Sequence, residues 1–297
     1  MHPSTKINEA DLSAPCMEIH QSWWAMRGIG DERGEWSIEK KVEKIAEAGF
    51  RGIMGRLPAL EEAELWRKLL DRYGLRFGIE AFPEDPEDFS EFLRQSKEFG
   101  VSYVNAQVKD AFVVGERAID RLQGIITAGS KAALPVFVET HRGRITQDLL
   151  RTVEYVQALP DLRLTIDLSH YVLAGEMLHA DERAEACFQL LLQRTSCIHG
   201  RISNGEQIQV DIGPNGEHPI AGRYLAWWKQ GMMNWRSEAR PGEILPFVCE
   251  LGPIPYAIAQ EGYSEAKQQE ISNRWEQSLL LKRLAEEVWE SVDGSSQ

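Results

Sequence analysis

The sequence predicts an α/β protein, a (β/α)8 TIM barrel extended by a C-terminal helical tract, and three observations point there. Amphipathic helices alternate with short β-rich runs along nearly all of the 297 residues. The joins between them are short, and a chain that returns to the same sheet edge after each helix makes parallel strands. Eight β-rich runs can be found, and eight such units close into a barrel more naturally than they form an open sheet. The open doubly wound sheet is the competing arrangement, but no G-x-G-x-x-G follows the first run.

The opening strand is "CMEIHQSWW". One phrase then recurs, helix then glycine then strand, in "VEKIAEAGFRGIM", "LWRKLLDRYGLRFGIE" and "FLRQSKEFGVSYVNAQ". Ile38, Val42, Ile45 and Ala46 share one face of the first helix. Trp66, Leu69, Leu70 and Tyr73 do so in the second, and Phe89, Phe92, Leu93 and Ser96 in the third. Gly49, Gly74 and Gly100 stand where a left-handed residue ends each helix. Looser units follow. "ERAIDRLQGIITAGSKAA" leads into "LPVFVETH", "DLLRTVEYVQALP" into "LRLTIDLSH", "ERAEACFQLLLQR" into "SCIHGRIS", and "YLAWWKQGMMNWR" into "ILPFVCELG". The breaks have the character of loops rather than linkers. A single domain over 1–297 is expected, with the barrel at about 16–263 and the helical tract at about 264–292.

Hydrophobic residues make up 43% of the chain, ample for a core, while 33 basic and 46 acidic residues leave a charge of −13. No Lys/Arg cluster stands out, and an acidic surface repels polyanions, so nucleic acid is not expected as a partner. Small neutral polyols and cations remain compatible. Cys16, Cys187, Cys197 and Cys249 are scattered without a C-x-x-C pair. No secretory leader and no apolar run of membrane-spanning length is visible. These features predict a soluble, cytoplasmic chain with reduced thiols and no membrane partner.

Barrels of this kind carry their chemistry at the C-terminal ends of the strands. Strand one offers Glu18 and His20, then Ser22, Trp23 and Trp24; strand three offers Glu80, and strand four Asn105 and Gln107. Strand five ends in Glu139 and His141, strand six in Asp167 and His170, strand seven in His199 and Arg201, and strand eight in Glu250. An apolar run such as Pro-Val-Phe-Val has no use for the carboxylate of Glu139 unless something compensates its charge. Glu139, Asp167, His199 and Glu250 come from neighbouring strands and are expected to converge. Three carboxylates and an imidazole so close repel one another unless a divalent cation sits among them. Oxygen-rich ligation with one nitrogen suits Mn2+, with Mg2+, Co2+ or Zn2+ as alternatives. Singly, each residue is more simply a solvated strand tip or a hydrogen-bonded core histidine. Four consecutive strands bearing hard-cation ligands predict a metal site. Cys197 and Cys249 fit small buried neighbours of that site.

On this barrel order, "VFVETH", "LTIDLSHY", "CIHGRIS" and "FVCELG" resemble the xylose isomerase-like TIM-barrel superfamily. Within it the likeness is to the sugar isomerases and epimerases, including ketose 3-epimerases, and it spans strand one through the last helix. The resemblance implies that Glu139, Asp167, His199 and Glu250 hold one metal ion. It further implies that Glu139 and Glu250 act as catalytic acid and base on opposite sides of the substrate carbon. His170 and Arg201 are implied as contacts to substrate oxygens, although the epimerase arginine usually lies further along. His141 and Arg142, directly after the first glutamate, are placed to reach the same pocket or a phosphate. Trp23 and Trp24 offer faces for stacking on a sugar.

The activity so implied is metal-dependent isomerisation or epimerisation of a sugar or polyol through an enediolate. The same branch holds inosose and dehydroshikimate dehydratases, so dehydration of a keto-polyol is the alternative. A non-catalytic carbohydrate-binding barrel is the alternative outside the enzymes. Abasic-site endonucleases of the superfamily need further histidines, which "FRGIMGRL" and "VSYVNAQ" lack, and "QVDIGPNG" contains no Asp-x-His. The segment from Asn204 to Tyr224 is expected to line or lid the pocket. The last helix and "YLAWWKQGMMNW" are expected to cover the barrel or pack against a second copy, so a homo-oligomer is anticipated.

Overall fold

Eight parallel strands close on themselves in the computed structural model, which describes residues 7–8, 13–179, 181–260 and 269–293. They are β1 (Cys16–Ser22), β2 (Gly52–Gly55), β3 (Arg76–Ala81), β4 (Tyr103–Ala106), β5 (Val136–Glu139), β6 (Leu164–Ile166), β7 (Thr195–Gly200) and β8 (Glu243–Cys249). Each pairs in parallel with the next, and β8 pairs back onto β1. This is the (β/α)8 barrel the alternation predicts.

The helices α1 (Ile38–Glu47), α2 (Leu60–Tyr73), α3 (Pro86–Phe99), α4 (Glu116–Ala132) and α5 (Leu149–Ala158) alternate with the strands. A short α6 (Ser169–Ala174) and then α7 (Glu182–Leu192) separate β6 from β7, and α8 (Ala221–Glu238) precedes β8. Side chains of Ser37, Asp85, Asp148 and Asp181 cap the starts of α1, α3, α5 and α7. Gly74 (φ 62°) and Gly100 (φ 102°) end α2 and α3 in the left-handed region that a side chain would disfavour.

Two features depart from the expected plan. Ile7–Asn8 adds a short antiparallel strand against Ile244 and Glu243 at the start of β8. The C-terminal tract is helical only from Arg274, as α9 (Arg274–Asp293). Residues 264–268 of that tract lie outside the described residues, and Glu270 instead pairs with Ala259. The cause is local: the Asn273 side chain accepts from the backbone N–H groups of Trp275 (3.1 Å) and Glu276 (3.2 Å), which starts the helix there. Among the described residues no helix is long and apolar enough to cross a membrane.

Two cores result. The larger lies between barrel and helices, and the Ile45, Trp66, Leu69, Phe89 and Leu93 faces point into it. The smaller fills the cylinder itself with Met54, Tyr103, Phe137, Cys197, Ile244 and Val248, closed from below by Ile7. Gly52 and Gly78 make room for this filling. A Cβ at Gly52 would fall 2.6 Å from the His20 ring, and one at Gly78 2.3 Å from the Tyr103 ring.

His20 therefore belongs to the filling, and neither it nor Glu18 stands at the C-terminal rim as expected. The parallel register sets His20 beside Gly52, the first residue of β2. Glu18 lies deeper still, its Oε2 accepting from Arg76 Nε (2.8 Å) at the start of β3 and from His20 Nε2 (3.2 Å). Burial lowers the pKa of His20 despite Glu18, so the ring is neutral; it donates from Nε2 and accepts the Tyr103 hydroxyl at Nδ1 (3.0 Å). Burial pushes the Glu18 carboxyl up, but hydrogen bonds from His20 and Arg76 outweigh it and hold the pKa near about 2.

A carboxyl with a folded pKa below its unfolded value stabilises the fold above the unfolded value. That contribution is lost as pH falls from about 4.5 through about 2. With the side chain 17% exposed, it is worth about 2–3 kcal/mol at neutral pH. Glu18→Gln should lower stability by that amount at pH 7 and by almost nothing at pH 2. Urea unfolding followed across this range tests it, and parallel curves for the two proteins would refute it.

Candidate active site

The register that sends His20 downward lifts one polar side chain per strand to a common level at the opposite mouth. Glu80 on β3 stands beside Asn105 on β4. Asn105 Nδ2 donates to Glu139 Oε2 at the tip of β5 (2.5 Å). Asp167, one residue past β6, is pinned by reciprocal bonds with Thr140 Oγ1, which accepts from Asp167 N (2.8 Å) and donates to its carbonyl (2.9 Å). Its Oδ1 accepts from Ser169 N and Oγ in the first turn of α6. His199 on β7 sets Nδ1 2.7 Å from Glu250 Oε2 and 3.6 Å from Glu139 Oε1.

The four side chains expected to converge do so. Glu139, Asp167, His199 and Glu250 are buried and each brings a ligand atom within 4.8 Å of the others. Few protein donors meet them: Glu139 Oε1 is 3.6 Å from His199 Nδ1, and Asp167 Oδ2 is 3.2 Å from Arg201 Nη2. Buried carboxylates crowded together repel one another, and with the His199 imidazole they form a cluster of hard-cation donor atoms. The donor set fits a divalent cation. A second trio, Glu139, His141 and His170, meets the same 4.8 Å criterion.

One expectation about this cluster needs correction. The carboxylates are not left to a metal alone, because Arg201 sits among them. Its Nη2 contacts Glu250 Oε2 directly and lies 3.2 Å from Asp167 Oδ2, with the side chain 1% exposed. Burial works against protonation of His199, yet the charges of Glu250 and Glu139 outweigh it and raise its pKa well above the ordinary value. Burial raises Glu139 too, but His199, His141 and Asn105 overcome it and hold the carboxyl near about 2. Asp167 is raised to about 6 by burial, with Arg201 opposing. Glu80 is raised to about 8, by burial and then by the charges of Glu250 and Glu139.

Above this layer opens a cavity of about 520 Å³ whose floor includes Glu80, Glu250 and Arg201. Trp23, Trp24 and His141 line it as anticipated. Trp23 is braced edge-on by Trp66 (4.6 Å between centroids) and Trp24 by Tyr256 (4.9 Å). Other candidate residues do not line it. Glu139 and His170 are fully buried beneath the lining; the His170 ring lies 3.8 Å from that of His141, with its Nε2 3.6 Å from Asp167 Oδ2. Arg142 is not part of the wall, its guanidinium lying over Tyr256 (5.1 Å).

No residue of the Asn204–Tyr224 segment lines this cavity. Gln209 clasps Gly252 through both its N–H (2.7 Å) and carbonyl (3.0 Å), and Ile212 N donates to Gln277 Oε1 on α9 (3.0 Å). The segment is tied down against the last helix rather than free to close. In its place Arg56, Phe82, Arg144 and Tyr256 build the wall. All four follow strand ends in loops, which the strand-tip argument passed over; a basic or aromatic residue just after each apolar run is the only signal that would have found them.

No protein-family model matches this chain, and no curated protein matches it. Solved structures do. The probable 3-DHS dehydratase AsbF, involved in petrobactin synthesis in Bacillus anthracis, is 16% identical with a TM-score of 0.56, covering 90% of this chain and 98% of that one. L-ribulose 3-epimerase is 11% identical with a TM-score of 0.56, covering 94% and 97%. A family 2 AP endonuclease from Brucella melitensis is 14% identical with a TM-score of 0.52, covering 77% and 92%. The likeness to each is one of fold, and the fold of this chain is the (β/α)8 barrel. The fold alone does not choose among their chemistries.

Proposed function

We propose that the chain is a metal-dependent sugar isomerase or epimerase, an enzyme that moves a proton next to a carbonyl of a sugar or polyol. The observation that carries this reading is the meeting of Glu139, Asp167, His199 and Glu250 within 4.8 Å under a cavity of sugar size. A divalent cation bound by these four, Mn2+ by donor type, would supply electrostatic stabilisation to the enediolate that forms when the proton leaves. Glu250, which faces the cavity and is held ionised by His199 and Arg201 against the cost of burial, takes or returns the proton on one side. Glu139, steered by Asn105, does so from the other. In this reading His141 meets substrate hydroxyls, with Arg201 at the floor and Trp23 against a sugar face, while His170, buried beneath, supports the His141 ring.

Loss of a β-hydroxyl after the same proton abstraction gives dehydration, and the likeness to AsbF supports that as the second reading. A nuclease is disfavoured because β2, β3 and β4 carry no histidine for additional metal ions. Metal analysis of purified protein, followed by solvent-deuterium uptake from a panel of ketoses in D2O with Mn2+, tests the proposal. A stoichiometric divalent ion and deuterium at the carbon beside the carbonyl are expected. Metal without any exchange would instead identify a carbohydrate-binding barrel, and the release of water with exchange would identify a dehydratase.

A further inference from the structure

The cavity wall beside β2 to β5 concentrates positive charge on a molecule whose net charge is −13. Arg56 follows β2, Phe82 follows β3 and Arg144 lies in the loop after β5, and all three line the cavity. Both guanidinium groups lie against the same ring, Arg56 at 5.2 Å and Arg144 at 5.5 Å from the Phe82 centroid. The aromatic face holds two cations that would otherwise drift apart into solvent.

Neither cation is held in a short ion pair among the described residues. Arg144 donates from Nε to Gln107 Oε1 (3.1 Å) and from Nη1 to the Gly143 carbonyl (3.0 Å), both uncharged acceptors. Arg56 makes no hydrogen bond among the described residues; its ion-pair contact is a long one, to Glu80 at 4.0 Å, and its side chain is 77% exposed and free to turn to a ligand. Glu62 also lines the cavity but is exposed and pairs with neither arginine among the described residues. The cavity is thus bipolar, with carboxylates at its floor and, on one wall, two guanidinium groups without a short ion pair. An anionic group is repelled from the floor and attracted to the wall, while neutral hydroxyl and carbonyl oxygens suit the floor.

We propose that the substrate carries an oxyanionic group, a phosphate monoester or a carboxylate, which docks between Arg56 and Arg144 and turns the polyol end towards Glu250. This rests on the sugar-isomerising reading of the floor and specifies its substrate class. The test separates the two. Inorganic phosphate and acetate are titrated calorimetrically into the full chain at ionic strength held constant with sodium chloride, for wild type, Arg56→Gln, Arg144→Gln and the double variant. Millimolar binding of one of them is expected, weakened by roughly tenfold in each single variant and lost in the double. Whichever anion binds more tightly names the group. Binding of neither anion by the wild type, or equal binding by the double variant, overturns the proposal. Deuterium uptake from a neutral ketose at a kcat/KM equal to that of its phosphorylated and carboxylated counterparts also overturns it, and leaves the isomerase reading standing. No uptake from any of them refutes the isomerase reading, while the anion titration still decides this one.

Discussion

Glu250→Gln is expected to abolish solvent-deuterium uptake, and Glu139→Gln to do the same, each lowering kcat by about 10^3-fold or more while the fold survives. The magnitude follows from what the amide removes. Glutamine keeps the shape of glutamate, so Asn105 can still donate to the side-chain oxygen at position 139. It cannot accept a proton from carbon. It also withdraws one negative charge from a cluster that includes Arg201 and His199, so the ion's hold on the site weakens together with the chemistry. Circular dichroism melts of the variants should overlay the parent to within the effect of one lost ion pair. Exchange at the parent rate in both variants would remove the two-carboxylate mechanism.

Arg201→Met should cost about 3–5 kcal/mol of stability in metal-free protein, because it strands the carboxylates of Asp167 and Glu250 in the interior without their guanidinium. Methionine occupies much of the same volume, so lost packing is a minor part of the effect. Added Mn2+ should restore part of the loss, since a dication held by the same carboxylates favours the folded state by mass action. Urea unfolding with and without Mn2+ measures both parts. A loss below about 1 kcal/mol would mean that the carboxylates take up protons at little cost and that Arg201 is not their counter-charge.

Much of this site could be read in the linear chain because strands buried on both faces are nearly unbroken apolar runs. An acid at the end of such a run, as in "VFVETH" or "FVCELG", stands out against it, and the expected quartet is the one that converges. Strand β1 defeated the same logic. "CMEIH" also ends an apolar run in polar residues, yet its acid points to the far end of the cylinder. Which layer a residue occupies depends on the stagger against Gly52 and Pro246 on the neighbouring strands, and a single strand carries no record of its stagger.

Arg201 illustrates a second limit. Its type and strand were evident, but its engagement with two carboxylates depends on a long side chain folding inward, which no spacing rule predicts. The turn-rich "VDIGPNG" invited a lid by composition. Its backbone is instead taken up by Gln277, a residue more than sixty positions later.

The filling of the cylinder by Tyr103, Phe137 and Val248 makes the cavity a blind well. On the proposed function, reactant and product would share the one entrance that the described residues leave, so departure of one would clear the way for the next. Bulk water would likewise meet a bound substrate from above. A molecule too broad to enter, lodged across the Trp24–Tyr256 edge, would halt traffic in both directions and silence isotope washout along with turnover.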